Sequence, residues 1–392
     1  MWPRVLVAGG SIGGLTAALV LGDLGCEVEV FERSGAALEG RGAGIVVLPT
    51  TERYFLERAD ETHRVSLELP WWKYVDAAGT ELSAHLDRFR FSGWNTLYRG
   101  LLGEFDESRY HLDAEVVGFE QEADSVTIRL ADGRQVEGDM LVCADGSGST
   151  ARRLLLPEIA PEYAGYVAWR GVTEEAKLGE GTRAKLADAM LYQVLEGGHI
   201  LVYAIPSLAG STTPGERLIN FVWYRNYPLG PDFDDVMTDS EGNRRLATVP
   251  PGLVAPAHLA ELLATAPRVL APFLAEVVSV ADEILIQAIF DLESPRMTFG
   301  RVCLVGDAAF VVRPHLAAGQ AKACADAWAL GASLDAAGGD VVAALAEWEP
   351  GQLALGRDVV ARSRDMGRRS QVTGEMWPGD PDWKFGLWRA GQ

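Results

Sequence analysis

Arg4-Val5-Leu6-Val7-Ala8-Gly9-Gly10-Ser11-Ile12-Gly13-Gly14-Leu15-Thr16-Ala17-Ala18-Leu19, running on to Val28-Glu29-Val30-Phe31-Glu32, is the stretch whose reading decides the fold. An apolar β-branched run, a glycine cluster, an Ala/Leu-rich segment and a second strand ending in an acid read as a βαβ unit for a dinucleotide. Gly9 permits the tight turn off the first strand, and Gly14 lets the helix pack closely on the sheet. Small residues between them let backbone N–H groups approach a pyrophosphate at the helix N-terminus. Glu32 lies 18 positions after Gly14, where an acid can hydrogen-bond a ribose hydroxyl. One position departs from G-x-G-x-x-G: the middle glycine is Ser11, whose small side chain and hydroxyl still suit a place beside a phosphate. Ile12 at the helix start and Arg33 beside Glu32 complete this candidate binding set.

Composition narrows the class. A chain of 392 residues, 48% hydrophobic, has the length for two domains or one large composite. Its net charge of −20 argues against nucleic acid or an anionic membrane as partner, since both need a basic footprint. Cys26, Cys143, Cys303 and Cys324 sit in apolar or alanine-rich stretches without C-x-x-C spacing. They read as buried thiols in a reducing cytoplasm, with no disulfide or metal site implied. The uncharged run from Val5 to Gly22 resembles a membrane span or signal peptide in hydropathy only, because five glycines and its opening as a short strand oppose both readings.

Along the chain, Glu39-Gly40-Arg41-Gly42-Ala43-Gly44-Ile45 forms a second glycine-rich loop with an arginine placed to reach phosphate or a cofactor edge. Short polar-interrupted strands occupy Trp71 to Thr96, a helix restarts at Tyr98-Arg99, and Ala114 to Met140 alternates as a β-meander. A buried strand then closes on Asp145-Gly146. From Ala164 to Asp291, aromatic-rich strands at 166–170, 190–194, 199–206 and 218–224 predict a broad antiparallel sheet. An amphipathic helix over about 256–280 should be interrupted by Pro267 and Pro272. The nucleotide-domain texture returns at Arg301 to Ala309, and residues 341–372 read as helical with a break at Pro350-Gly351.

Three segments thus each end a buried strand at a small residue and an acid: Gly9 to Gly14 with Glu32, Asp145-Gly146, and Gly306-Asp307. In this order they resemble the single-component FAD-dependent aromatic hydroxylases, a flavoprotein monooxygenase family. Asp145-Gly146-Ser147-Gly148-Ser149-Thr150-Ala151-Arg152 matches that family's D-G-x-x-S-x-x-R, and Gly306-Asp307-Ala308-Ala309 followed by Pro314 matches its G-D-A-A-x(4)-P. The resemblance implies that Asp307 binds the ribityl chain and that the next helix points its N-terminus at the flavin. It places Arg99 near the pyrophosphate, Val116 against the adenosine half and Arg41 on a mobile loop close to the cofactor. Two departures stand out. Phe310 replaces the usual histidine, and Ala317-Ala318-Gly319-Gln320-Ala321 replaces G-x-G-x-N, so flavin contacts from Ala317 to Gly319 must come mainly from backbone.

Arg313 to Lys322, the Arg41 to Ile45 loop and Tyr163 to Gly171 look most like the 2,6-dihydroxypyridine hydroxylase branch. That implies a PHBH-like α/β fold with a Rossmann-type FAD-binding domain, an antiparallel β-sheet substrate domain and a C-terminal helix. The expected boundaries are 1–70, 97–163 and 291–350 for FAD, 71–96 and 164–290 for substrate, and 351–392 for the C-terminal helical segment. The implied chemistry is hydride transfer from NADH or NADPH to flavin, formation of a flavin hydroperoxide with dioxygen, and oxygen transfer to an electron-rich hydroxylated heteroaromatic. No separate nicotinamide site is visible, and nothing in the chain decides self-association.

A base should favour the anionic substrate. His315, in the loop that should face the flavin, is the first candidate; packing against the ring is its plain alternative. His199 and Tyr203 share one sheet face and could wall the pocket or merely belong to the core. Trp169, Arg170 and Trp223 are further pocket candidates, with ordinary core or surface roles as alternatives. An epoxidase or Baeyer–Villiger enzyme, a flavin dehydrogenase or reductase, and a non-catalytic flavin binder all remain open. A halogenase fits less well, because W-x-W-x-I-P is absent.

Overall fold

The computed structural model describes residues 2–38, 44–57 and 66–388. Its first sheet has six strands in the order Thr298–Phe299, Val302–Leu304, Met140–Cys143, Arg4–Ala8, Glu27–Phe31 and Tyr110–His111. All neighbours run parallel except the Thr298–Phe299 edge. The central strands are uninterrupted apolar runs, as burial on both faces of a parallel sheet requires. Helices Ile12–Asp23 and Gly319–Ala336 pack on each other. The 114–140 meander is a separate three-stranded antiparallel sheet of Val116–Gln121, Val126–Leu130 and Gln135–Gly138.

The second sheet has ten strands. Its centre is Glu162–Glu174, Leu218–Asn226, Gly198–Ile205 and Ala189–Leu195, antiparallel to one another. Leu67–Val75 and Glu81–Gly93 extend it on one side. Gly44–Val47 pairs with Glu81–Gly93 at that edge, so this strand belongs to the second sheet although the expected boundary assigned it to the cofactor domain. Pairing with an available edge decided its place, and a four-residue apolar strand carries no local label of which sheet it will join.

The register sorts the side chains of this sheet. Pairing of His199 with Tyr224 and of Tyr203 with Asn220 puts these four on one face. Arg170 shares that face through its pairing with Val222. Trp169 pairs with Trp223 on the opposite face, which also carries Gln193. Helices Pro256–Val269 and Pro272–Ser279 cover that opposite face, and Gln193 bonds to Val269 O at 2.7 Å and receives Ala271 N–H at 2.8 Å.

The 256–280 region breaks before Pro272, whereas Pro267 stays inside a helix. Val341–Arg368 is one helix with Pro350 inside it. The expected break at Pro350-Gly351, and the boundary drawn there, are therefore corrected. Proline removes one intrahelical bond, but Trp348, Val359, Val360 and Met366 bury a continuous face that holds the helix together. All four cysteines are free and buried. Among the described residues, no helix is long and apolar enough to cross a membrane, and no cluster of His, Cys, Asp or Glu has the makings of a metal site.

Candidate active site

The tight turn after Arg4–Ala8 puts Gly9 at φ +99°, a conformation that favours glycine. A Cβ on Gly9 would lie 2.4 Å from Ala144 O, and one on Gly14 would lie 1.9 Å from Gly9 O. The turn therefore leaves room only for backbone. Ser11 is the N-cap of Ile12–Asp23, yet its side chain makes no capping bond, so the hydroxyl is not committed to its own helix. Glu32 is buried and accepts Gly10 N–H at 3.0 Å and Ser34 N–H at 2.9 Å, which fixes the carboxylate beside the glycine turn. Tyr110 Oη donates to Gly10 O at 2.9 Å and braces the turn from the other side.

Ala8, Gly9, Ser11, Phe31, Glu32, Arg33, Leu38, Trp94, Glu115, Val116, Ala144 and Asp145 line an open cleft of about 790 Å³ together with Gly146, Gly148 and Thr150. The cleft joins the first and second segments, and Val116, Glu32, Arg33 and Asp145 meet there. Asp145 Oδ2 accepts Thr150 N–H at 2.8 Å, while its Oδ1 is buried without a partner. Ser149 caps Thr150–Leu155 by accepting Arg152 N–H at 3.0 Å. This cap aims the buried Arg152 inward. Its guanidinium donates to Ser147 O at 2.5 Å and Ala308 O at 3.1 Å, tying the second segment to the third.

In that third segment Gly306 adopts φ +57° and its N–H donates to buried Asp326 Oδ2 at 2.8 Å. Asp307 follows on this turn with an accessible side chain. Loss of hydration pushes its carboxyl up to about 6, against the opposing pull of Lys322 and Arg152. The chain then passes Pro314 in the short turn Pro314–Leu316, reaches Ala317 at φ +54°, and enters the helix at Gly319.

His315 and His199 come together on the second sheet, with ring centroids 5.4 Å apart. Tyr224 lies 4.8 Å from His315 and 4.7 Å from His199. Both imidazoles are buried; burial pushes His199 down to about 3, and burial together with His199 and Arg313 holds His315 well below its usual value. Tyr166 Oη lies 2.7 Å from His315 Nε2. The Arg313 guanidinium lies 5.8 Å from the Tyr166 ring centre. His315, the expected base, is thus buried in an aromatic cluster with its Nε2 at the Tyr166 hydroxyl.

Tyr203 is on the same face, 4.6 Å from the Phe91 ring. Arg170 is there too, donating to Gly44 O at 2.7 Å and Gln287 Oε1 at 3.2 Å. Trp169 and Trp223, the other pocket candidates, lie on the opposite face of the sheet. They point into the core beneath the two covering helices, because adjacent strand residues such as Trp169 and Arg170 cannot share a face. Arg99 is exposed on Trp94–Glu104 and does not line the cleft, to which that helix contributes Trp94. Arg41 lies outside the described residues. Sequence reasoning missed Tyr166, Tyr224 and Trp383 around the histidines; only strand register could have picked out the tyrosines, and Trp383 sits in no motif.

The residues present fit a flavin dinucleotide: a turn closed to any Cβ, an uncommitted serine hydroxyl and an unpartnered Asp145 oxygen. A family model described as FAD binding domain-like matches residues 163–291. The chain is 38% identical over 385 residues to 2,6-dihydroxypyridine 3-monooxygenase of Paenarthrobacter nicotinovorans, covering 98% of this chain and 96% of that one. The solved structure of 2,6-dihydroxypyridine-3-hydroxylase from Arthrobacter nicotinovorans superposes with a TM-score of 0.92 at 36% identity, covering 100% of this chain and 98% of that one. Klebsiella pneumoniae HpxO, solved with FAD and uric acid, shares the fold with a TM-score of 0.76 at 24% identity, covering 95% and 90% of the two chains.

Proposed function

The chain belongs to the FAD-dependent aromatic hydroxylase family and has its PHBH-like α/β fold, and from that premise we propose that it hydroxylates an electron-rich hydroxylated N-heteroaromatic such as a dihydroxypyridine. It is a flavoprotein monooxygenase with FAD as cofactor and NADH or NADPH as reductant. Bound FAD supplies the redox chemistry, accepting hydride and activating dioxygen.

In this reading the six-stranded sheet carries the cofactor and the ten-stranded sheet carries the substrate. Gly9, Ser11, Ile12 and Gly14 hold the pyrophosphate at the helix N-terminus, Glu32 takes a ribose hydroxyl, and Arg33, Val116 and Asp145 wall the adenosine side. Gly306 shapes the turn from which Asp307 accepts from the ribityl hydroxyls. Pro314, Ala317 and Gly319 present backbone to the ring. On the substrate side the apolar rings exclude water, Tyr203 and Arg170 bound the face, and His315 and His199 act as neutral hydrogen-bonding groups.

One observation carries the reading: the single loop from Gly306 to Gly319 is tied at Ala308 O to Arg152 of the Asp145 segment and holds His315 against the aromatic sheet face. The test is NAD(P)H consumption by the FAD-loaded protein with a panel of hydroxypyridines and phenols, with products identified by mass spectrometry. Ring-stimulated consumption with an oxygenated product is expected. Consumption without oxygenated product across the panel would overturn the hydroxylase reading.

A further inference from the structure

Leu38 lines the dinucleotide cleft, and Gly44 is the first residue of the Gly44–Val47 strand at the edge of the ten-stranded sheet. At Gly44 both backbone polar groups are taken by side chains of that sheet. Its N–H donates to Asn220 Oδ1 at 2.7 Å, and its carbonyl accepts Arg170 Nη2 at 2.7 Å. The two holders share one face on neighbouring strands, since Arg170 is opposite Val222 and Asn220 is opposite Val172. The approach is also close. A Cβ on Gly44 would lie 2.8 Å from Asn220 Cβ and 2.9 Å from Tyr203 Cε2, so bare backbone rests directly on Asn220 and Tyr203. The Tyr203 ring meets Phe91 at 4.6 Å, on the strand that pairs with Gly44–Val47.

The bonds made by each holder show what it does. Arg170 gives Nη2 to Gly44 O and Nη1 to Gln287 Oε1, on the strand that flanks its own, so both tips of the guanidinium are committed within the fold. Asn220 is fully buried, and its one bonded side-chain atom is Oδ1, the acceptor for Gly44; Nδ2 makes no bond. The contribution of Asn220 is therefore that acceptor. Gly44 is itself buried, and its N–H without an acceptor would be unfavourable. Two side chains from neighbouring strands thus decide where the backbone over Tyr203 lies.

We propose that Asn220 and Arg170 are positioning residues that act through Gly44, fixing the backbone that covers Tyr203 and so the fit of a substrate ring on that side of the sheet. The proposal rests on the assignment of substrate to the ten-stranded sheet, and it makes Arg170 a holder of the chain where the sequence suggested a contact to an anionic ring. A cover that stays in place keeps the ring still and water out, and NAD(P)H oxidation then ends in oxygenated product. A loosened cover lets the two electrons of NAD(P)H pass to dioxygen as hydrogen peroxide, with the ring unchanged.

The test measures oxygenated product and hydrogen peroxide per NAD(P)H consumed by the FAD-loaded protein with 2,6-dihydroxypyridine, a ratio that does not depend on how much enzyme is folded. Asn220→Leu removes the acceptor and Arg170→Met removes the donors; each should lower product per NAD(P)H about fivefold. Because both act through one residue, the double variant should also lose about fivefold, where independent contacts would multiply to about twenty-five-fold. Asn220→Asp keeps an oxygen for Gly44 N–H and should stay within about twofold of the unsubstituted protein. An unchanged ratio in Asn220→Leu, an equal loss in Asn220→Asp, or multiplied losses in the double variant overturns the proposal and leaves the hydroxylase reading standing. Hydrogen exchange at the Gly44 amide is the second measurement: Asn220→Leu should speed it about tenfold and Asn220→Asp should not, and equal exchange in all three proteins overturns the proposal. If the unsubstituted protein oxygenates no ring in the panel, the hydroxylase reading fails and the positioning role with it, whatever the exchange shows.

Discussion

Acidification should loosen FAD through Asp307. In the free site this carboxyl is pushed up to about 6 by loss of hydration, which outweighs the nearby Lys322 and Arg152 charges. Ribityl hydroxyls donating to the ionised form would lower that value in the complex, so binding expels the proton that Asp307 carries below pH 6. Affinity is therefore fully present above that value and lost as the pH falls through it. For one such group the apparent dissociation constant rises about 1.1-fold at pH 7, about twofold at pH 6 and about elevenfold at pH 5, relative to high pH. The assay is fluorescence titration of FAD into apoprotein at pH 5, 6, 7 and 8. Asp307→Asn should bind more weakly at pH 8 and lose the slope. A wild-type dissociation constant that stays flat to pH 5, or a slope that survives in Asp307→Asn, would refute the reasoning.

Arg152→Met keeps the length of the side chain and removes the donors to Ser147 O and Ala308 O. Two charge-assisted bonds lost, partly offset by relief of a buried charge, predict destabilisation of about 2–4 kcal/mol, read by denaturant melting, together with weaker FAD retention. Gly14→Ala should abolish FAD binding in a spectral titration, because the new methyl would meet Gly9 O at 1.9 Å. At Ala317, with φ +54°, glycine should be tolerated within about 1 kcal/mol and valine should cost about 2 kcal/mol in thermal unfolding.

The cofactor half of the molecule was legible because its information is local. Gly9, Gly14 and Glu32 report a turn, a close helix approach and an acid within one βαβ unit, and Asp145 and Gly306-Asp307 each repeat a strand-end signature. What Arg152 does was not legible from its motif, since Ala308 lies 156 positions away. The substrate half was harder to read for a related reason. Alternation says that Trp169 and Arg170 face opposite ways, but which way is inward depends on which helices cover each face of the sheet. Trp383 depends on where a C-terminal segment is pinned, and no spacing rule encodes that. Pro350 misled because a local helix-breaking tendency was overridden by a long buried face.

In the proposed function coenzyme and substrate must be held in register, and the loop from Gly306 to Gly319 is anchored by a buried ion pair. Lys322 Nζ donates to Asp326 Oδ1 at 3.0 Å and Oδ2 at 2.7 Å, with both side chains almost wholly buried. Asp326 Oδ2 also accepts Gly306 N–H, and Asp326 O accepts the Trp348 indole N–H at 3.0 Å. A buried pair of this kind adds little stability over well-packed apolar groups, yet losing one partner typically costs about 3–5 kcal/mol. Its consequence here is positional: the carboxylate is shared between the lysine and the backbone from which Asp307 projects. Arg152 grips the same turn at Ala308 O. Two buried cations thus fix the turn that carries Asp307, and Tyr166 fixes His315 seven residues beyond Ala308, so Asp307 and His315 are held on one anchored piece of backbone.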